Sequence, residues 1–150
     1  TPDRSAASIC AAGGRGDALV HVEVVDRRAG TGWVVGRVEE IRARHDVAGV
    51  LVDSASPAAS LADAVGAELV TAQGMARSCG VLFDLVEQGR LRHLGDPALA
   101  AAVKGAKRRP LGDAWAWSRR SSTVDISPLV AVTLAAYRAA EDHESFVVFD

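Results

Sequence analysis

The chain of 150 residues is poor in cysteine, with only Cys10 and Cys79. They lie far apart among small apolar residues, which excludes a disulfide framework and a zinc site of the usual tight spacing. Both read as buried thiols in a reducing cytoplasm. No apolar run approaches the ~20 residues of a membrane helix. The first residues, Thr1-Pro2-Asp3-Arg4, carry no Met and no apolar core of a signal peptide. They suggest a piece of a longer protein. Nor is there charge of one dominant sign. The net charge is −2, with 49% hydrophobic and 24% charged residues, as in an ordinary globular domain. The four histidines, His21, His45, His93 and His143, show no metal spacing. No Gly-Lys-Ser/Thr follows the glycines near Gly13, so a phosphate loop is excluded. Arg15-Gly16-Asp17 has the letters of an adhesion motif but reads as a hairpin tip.

What is present is a patterned α/β chain. Ser5–Ala12 and the alternating Leu19–Asp26 predict a β-hairpin. A helix capped by Thr31 runs to about His45, with Trp33, Val34, Val38 and Ile41 at helical spacing. Val47–Asp53 is almost unbroken in apolar character and predicts a parallel strand covered on both faces. Pro57–Ala67 predicts a short helix, Glu68–Thr71 a brief strand, and Ala72–Gln88 a helix stopped by Gly89. Asp96-Pro97 opens another helix to about Val103. A basic hairpin turning at Gly112-Asp113 follows, then a last long helix over Leu129–Ala140. The tail from Glu141 is acidic and then apolar. It either packs as a terminal strand or reflects where the chain stops. This order predicts one domain, a mixed sheet with helices on both faces.

Asp53 closes the central strand, where a charge needs a reason. Sites in open α/β sheets are built beyond the carboxyl ends of the strands. Asp125 stands at the start of the last helix and Asp3 at the entrance of the first strand. Carboxylates converging there suit Mg²⁺ or Mn²⁺. Two such ions about 4 Å apart activate water and stabilise the leaving oxygen of a phosphodiester. Taken singly, the acids have plainer readings, Asp53 and Asp125 as caps, Asp3 as a frayed end and Asp113 as a turn residue. Lys107, Arg108, Arg109, Arg119 and Arg120, with Lys104, crowd one stretch and are candidate phosphate contacts. Trp115 and Trp117, two apart, are expected to pack into the core.

Three stretches carry a resemblance: Pro2-Asp3-Arg4-Ser5-Ala6-Ala7-Ser8-Ile9; Val50-Leu51-Val52-Asp53; and Arg109-Pro110-Leu111-Gly112-Asp113-Ala114-Trp115-Ala116-Trp117-Ser118-Arg119-Arg120, continuing into Val124-Asp125-Ile126-Ser127-Pro128. The chain resembles the C-terminal nuclease domain of the large terminase subunit of tailed phages, in the actinobacterial phage and prophage form. The resemblance implies an RNase H-like fold and two-metal cleavage of double-stranded DNA during genome packaging in the bacterial cytoplasm. It also implies an upstream ATPase domain, and portal and small terminase subunits as partners. Asp53 matches the family's second acid and Asp125 its last. The first acid would fall just upstream of Thr1, with Asp3 as the nearest substitute. The alternative is a prophage remnant that keeps the fold and docks DNA or portal without cutting. A junction resolvase or transposase on the same fold is a more distant reading.

Overall fold

The computed structural model describes residues 6–14 and 17–150. Asp3, and Arg15 and Gly16 of the hairpin tip, lie outside them. Strand β1 (Ala6–Gly14) and strand β2 (Val20–Ala29) form the expected antiparallel hairpin, with a register shift between Ile9 and Cys10. Helix α1 (Val34–Arg44) buries Val34, Val38 and Ile41, one stripe at helical spacing. Thr31 does not cap it. Trp33 holds the cap position with no side-chain bond to the helix amides, and the Thr31 carbonyl accepts from the Val34 amide at 3.1 Å.

Strand β3 (Gly49–Asp53) is followed by a 3-10 turn (Pro57–Leu61), helix α2 (Ala62–Val65) and strand β4 (Glu68–Val70). Helix α3 (Ala72–Glu87) begins with the Thr71 hydroxyl accepting from the Gly74 amide at 3.1 Å. It ends at Gly89, whose φ of 66° a side chain disfavours. A two-residue strand, β5 (Leu91–Arg92), was not anticipated. Asp96 caps helix α4 (Pro97–Gly105) by accepting from the Ala98 and Leu99 amides. Strands β6 (Lys107–Leu111) and β7 (Ala114–Ser118) form a separate two-stranded ribbon around the Gly112 turn. Helix α5 spans Ser127–Asp142, two residues longer at each end than its sequence pattern indicates.

The tail packs as a strand, the first of its two expected forms, in a place its sequence does not indicate. Strand β8 (Phe146–Phe149) lies inside the main sheet, whose order is β4-β3-β8-β1-β2-β5. It pairs parallel to β3 and antiparallel to β1. All four of its residues are buried, which is why the run does not alternate. Each side chain removed from water there contributes about 1.5–3 kcal/mol, so the tail holds the sheet together.

The sheet is mixed and covered by helices on both faces. Cys10, Leu51 and Val148 face a core shared with α3, α4 and α5. Ile9, Val50, Val52, Val147 and Phe149 face the other core, with α1 and α2. Among the described residues no helix is long and apolar enough to cross a membrane. Cys10 and Cys79 are buried free thiols, as expected.

Candidate functional site

Strand β3 delivers Asp53 to the carboxyl end of the sheet, on the α5 side, by the same alternation that points Leu51 there. The β3–β8 register pairs Leu51 with Val148. Continued by two residues, it sets Asp150 beside Asp53. Sequence reasoning missed Asp150. Its signal was available: Val50-Leu51-Val52-Asp53 and Val147-Val148-Phe149-Asp150 are both apolar runs closed by an acid.

One guanidinium joins the pair. Arg119, in the turn after β7, donates two parallel bonds of 2.7 Å to the two oxygens of Asp150. Its Nη2 also donates to Asp53 Oδ2 at 2.7 Å. The other Asp53 oxygen accepts from the Ala55 amide at 3.2 Å. Both carboxylates are buried, and the Arg119 side chain is 16% exposed. Burial pushes the Asp150 carboxyl above its ordinary range; Arg119 opposes this, and the like charge of Asp53 adds to it. Burial works against the charge of Arg119 as well, but Asp150 and Asp53 outweigh it and raise its pKa.

The turn that carries Arg119 is fixed locally. The Ser118 hydroxyl accepts from the Ser121 amide at 3.1 Å, and the Ser122 hydroxyl donates to the Ser118 carbonyl. A cleft of about 480 Å³ opens beside it, lined by Asp53, Arg109, Arg119, Arg120, Trp117 and Met75 among others. Asp150 does not line this cleft. It lies behind Arg119, against a void of about 10 Å³ that Ser56 and Thr31 also border.

Asp125 sits at the same end of the sheet, farther along. Its Oδ1 accepts from the Ser127 amide at 2.9 Å, and its Oδ2 from Arg27 Nη2 at 2.8 Å. Burial would raise its pKa, but the bonds it accepts, that of the Ser127 amide first and that of Arg27 among the others, outweigh burial and lower the pKa to about 2. Ser127 links this acid to the other two. Its hydroxyl bonds that of Ser8 at 2.8 Å, and the Ser8 backbone exchanges two hydrogen bonds with Asp150. In strand order, Asp53 ends β3, Asp150 follows β8, and Asp125 is held over β1 and β2 by Ser127, which bonds Ser8, and by Arg27. Two strand spacings put roughly 10 Å of sheet between the outer members, with Asp150 between them. Among the described residues no group of three or more His, Cys, Asp or Glu is placed to hold a metal ion.

The basic residues divide. Lys107, Arg108 and Arg109 project from exposed β6, and Arg120 lies at the cleft. Arg108 stacks on the Trp115 ring, 4.0 Å from its centroid. Trp115 and Trp117 are only half-buried, while Ala116 and Ser118, on the other face of that strand, are buried. Trp117 Nε1 donates to Thr133 Oγ1 at 3.0 Å and pins the ribbon to α5. A larger cleft, about 590 Å³, lies on the α1 side and includes His21, His45 and His93. It contains none of the acids discussed above.

Comparison with family models, with curated proteins and with solved structures finds no match to this chain.

Proposed function

We propose that the chain is an RNase H-like nuclease domain that hydrolyses the phosphodiester backbone of double-stranded DNA with the help of a divalent cation. One observation carries the reading. Three acids stand in a row across one end of the sheet, and the cleft that one of them, Asp53, lines is walled by Arg109, Arg119 and Arg120.

The donors suit a hard cation in part. Asp53 and Asp150 offer adjacent carboxylate oxygens, the ligands that Mg²⁺ and Mn²⁺ prefer. Those oxygens are engaged by Arg119, so a cation there takes over bonds the guanidinium now makes. Asp53 and Asp150 would hold that ion, and a second would draw on Asp125. A cation so held supplies an activated water and offsets charge on the phosphate. The chain's own part is electrostatic. Arg109 and Arg120 attract the DNA backbone to the cleft mouth, with Lys107 on the exposed ribbon. The packaging context, with portal and small terminase as partners, rests on the sequence resemblance alone.

Nicking of supercoiled plasmid in Mn²⁺ tests the reading. Asp53→Ala and Asp125→Ala should abolish it, and unchanged nicking by both would overturn it. One observation favours a second reading, a DNA-docking module that does not cut: the deepest acids already have a cation in Arg119. Salt-sensitive DNA binding with no metal-stimulated cleavage would select that reading instead.

A further inference from the structure

We propose that Arg119 is an exchangeable internal cation that couples DNA to metal binding: it leaves Asp53 and Asp150 for a substrate phosphate, and the vacated carboxylates take the divalent ion. The inference rests on the nuclease reading and adds to it a reason for metal and substrate to bind together.

Charge is the first argument. Asp53 and Asp150 with Arg119 leave one net negative charge in a buried place. A divalent ion added to that group leaves one net positive charge. A phosphodiester arriving with the ion brings the total to zero. Metal alone or phosphate alone each leaves an uncompensated charge, which burial penalises. The two together do not.

Position is the second argument. The guanidinium separates the cleft from Asp150. Asp53 already faces the cleft, so the withdrawal of one side chain joins the two acids in one accessible site. Arg119 shares the wall of the cleft with Arg120 and Arg109, where a phosphate would arrive. A guanidinium binds phosphate with the same two-pronged geometry it uses on carboxylate. The exchange therefore trades like bonds for like.

The third argument concerns attachment. Arg119 belongs to a turn on the two-stranded ribbon, not to the main sheet. The turn's own hydrogen bonds keep its backbone in place, so the exchange needs only the Arg119 side chain to rotate, and β3 and β8 hold the acids by strand pairing throughout.

Mn²⁺ titration followed by calorimetry tests this, on the wild type and Arg119→Gln. Each is measured with and without a short phosphorothioate duplex that resists cleavage. The wild type should bind Mn²⁺ at least tenfold more tightly with duplex present. Arg119→Gln should bind Mn²⁺ at least tenfold more tightly than wild type without duplex, and should gain little from adding it. Mn²⁺ should also raise the melting temperature of Arg119→Gln more than that of wild type, since the ion replaces the lost charge. A purely structural arginine would not produce that difference. Arg119→Lys, which keeps the charge but not the fork, should fall between the two and serves if the glutamine variant does not fold. Equal Mn²⁺ affinity in wild type and variants, or a duplex effect of the same size in all, overturns the exchange and leaves the nuclease reading standing. Failure of every protein to bind Mn²⁺, with or without duplex, overturns both.

Discussion

Two arginines hold carboxylates at the same end of the sheet, under opposite conditions. Arg119 is buried, grips Asp150 with two bonds and reaches Asp53 with a third. Arg27 lies on β2 with its side chain 39% exposed, and makes both of its bonds to a single oxygen of Asp125. Arg27 itself meets water, so its loss costs less than that of Arg119. Among the described residues Arg119 is the cation bonded to Asp53 and Asp150, and its loss would leave two desolvated carboxylates facing one another. The inner pair is therefore a poised charge that some cation must neutralise. The outer acid is an ordinary helix-start carboxylate, stabilised by the Ser127 amide and by its place at the head of α5.

The contrast can be broken most forcefully in urea. Arg119→Ala should lose about 3–5 kcal/mol of stability, and Arg27→Ala no more than about 1 kcal/mol. Equal losses would erase the distinction. The pH dependence sharpens it. The pKa of Asp125 is lowered on folding to about 2, below its ordinary value of 3.8. Its contribution is therefore fully present above pH 4 and lost as pH falls through 2. Thermal melts between pH 5 and pH 2 should fall less steeply in Asp125→Asn than in wild type, and identical slopes would remove Asp125 from the account. Asp150 has the opposite sign. Its pKa is raised, so its ionised form is disfavoured as pH rises above the ordinary carboxylate range. The smallest effect belongs to the exposed arginines. Arg109→Ala and Arg120→Ala should each reduce the salt slope of DNA binding by about 0.9 without changing the melting temperature. A melting point that falls with either would make them structural.

The same contrast explains what was legible in the sequence. Asp53 stood out because an acid interrupted an apolar strand, and the structure buries it as that pattern required. The alternation of β2, the stripe of α1, the Asp96 cap and the Gly112 turn are local features, set by neighbours a few residues away. Each was read correctly to within a few residues. Strand β8 obeys the same local rule, since Phe146-Val147-Val148-Phe149 is apolar without a break. Its place between β1 and β3 depends on contacts more than ninety residues away, which periodicity does not encode. Asp150 was lost with it. The tryptophans pack against the core, as their spacing suggests, but only in part, for a related reason. Trp115 and Trp117 do share a face, but β7 belongs to a ribbon rather than the sheet. That face is covered only in part, by Arg108 and the edge of α5. The arginines of the basic stretch look alike in sequence. Only folding separates Arg119, turned inward onto the acids, from Arg109 and Arg120 at the mouth of the cleft.

The central claim is that Asp53 and Asp150 act together as the seat of a divalent cation in a DNA-cleaving site. The most direct measurement is Mn²⁺-dependent nicking of supercoiled plasmid by wild type, Asp53→Asn and Asp150→Asn, with circular dichroism confirming that each is folded. A cation at a phosphoryl centre is worth several kcal/mol, so each substitution should slow nicking by at least about 100-fold. Nicking that persists at the wild-type rate in a folded Asp150→Asn protein would contradict the account.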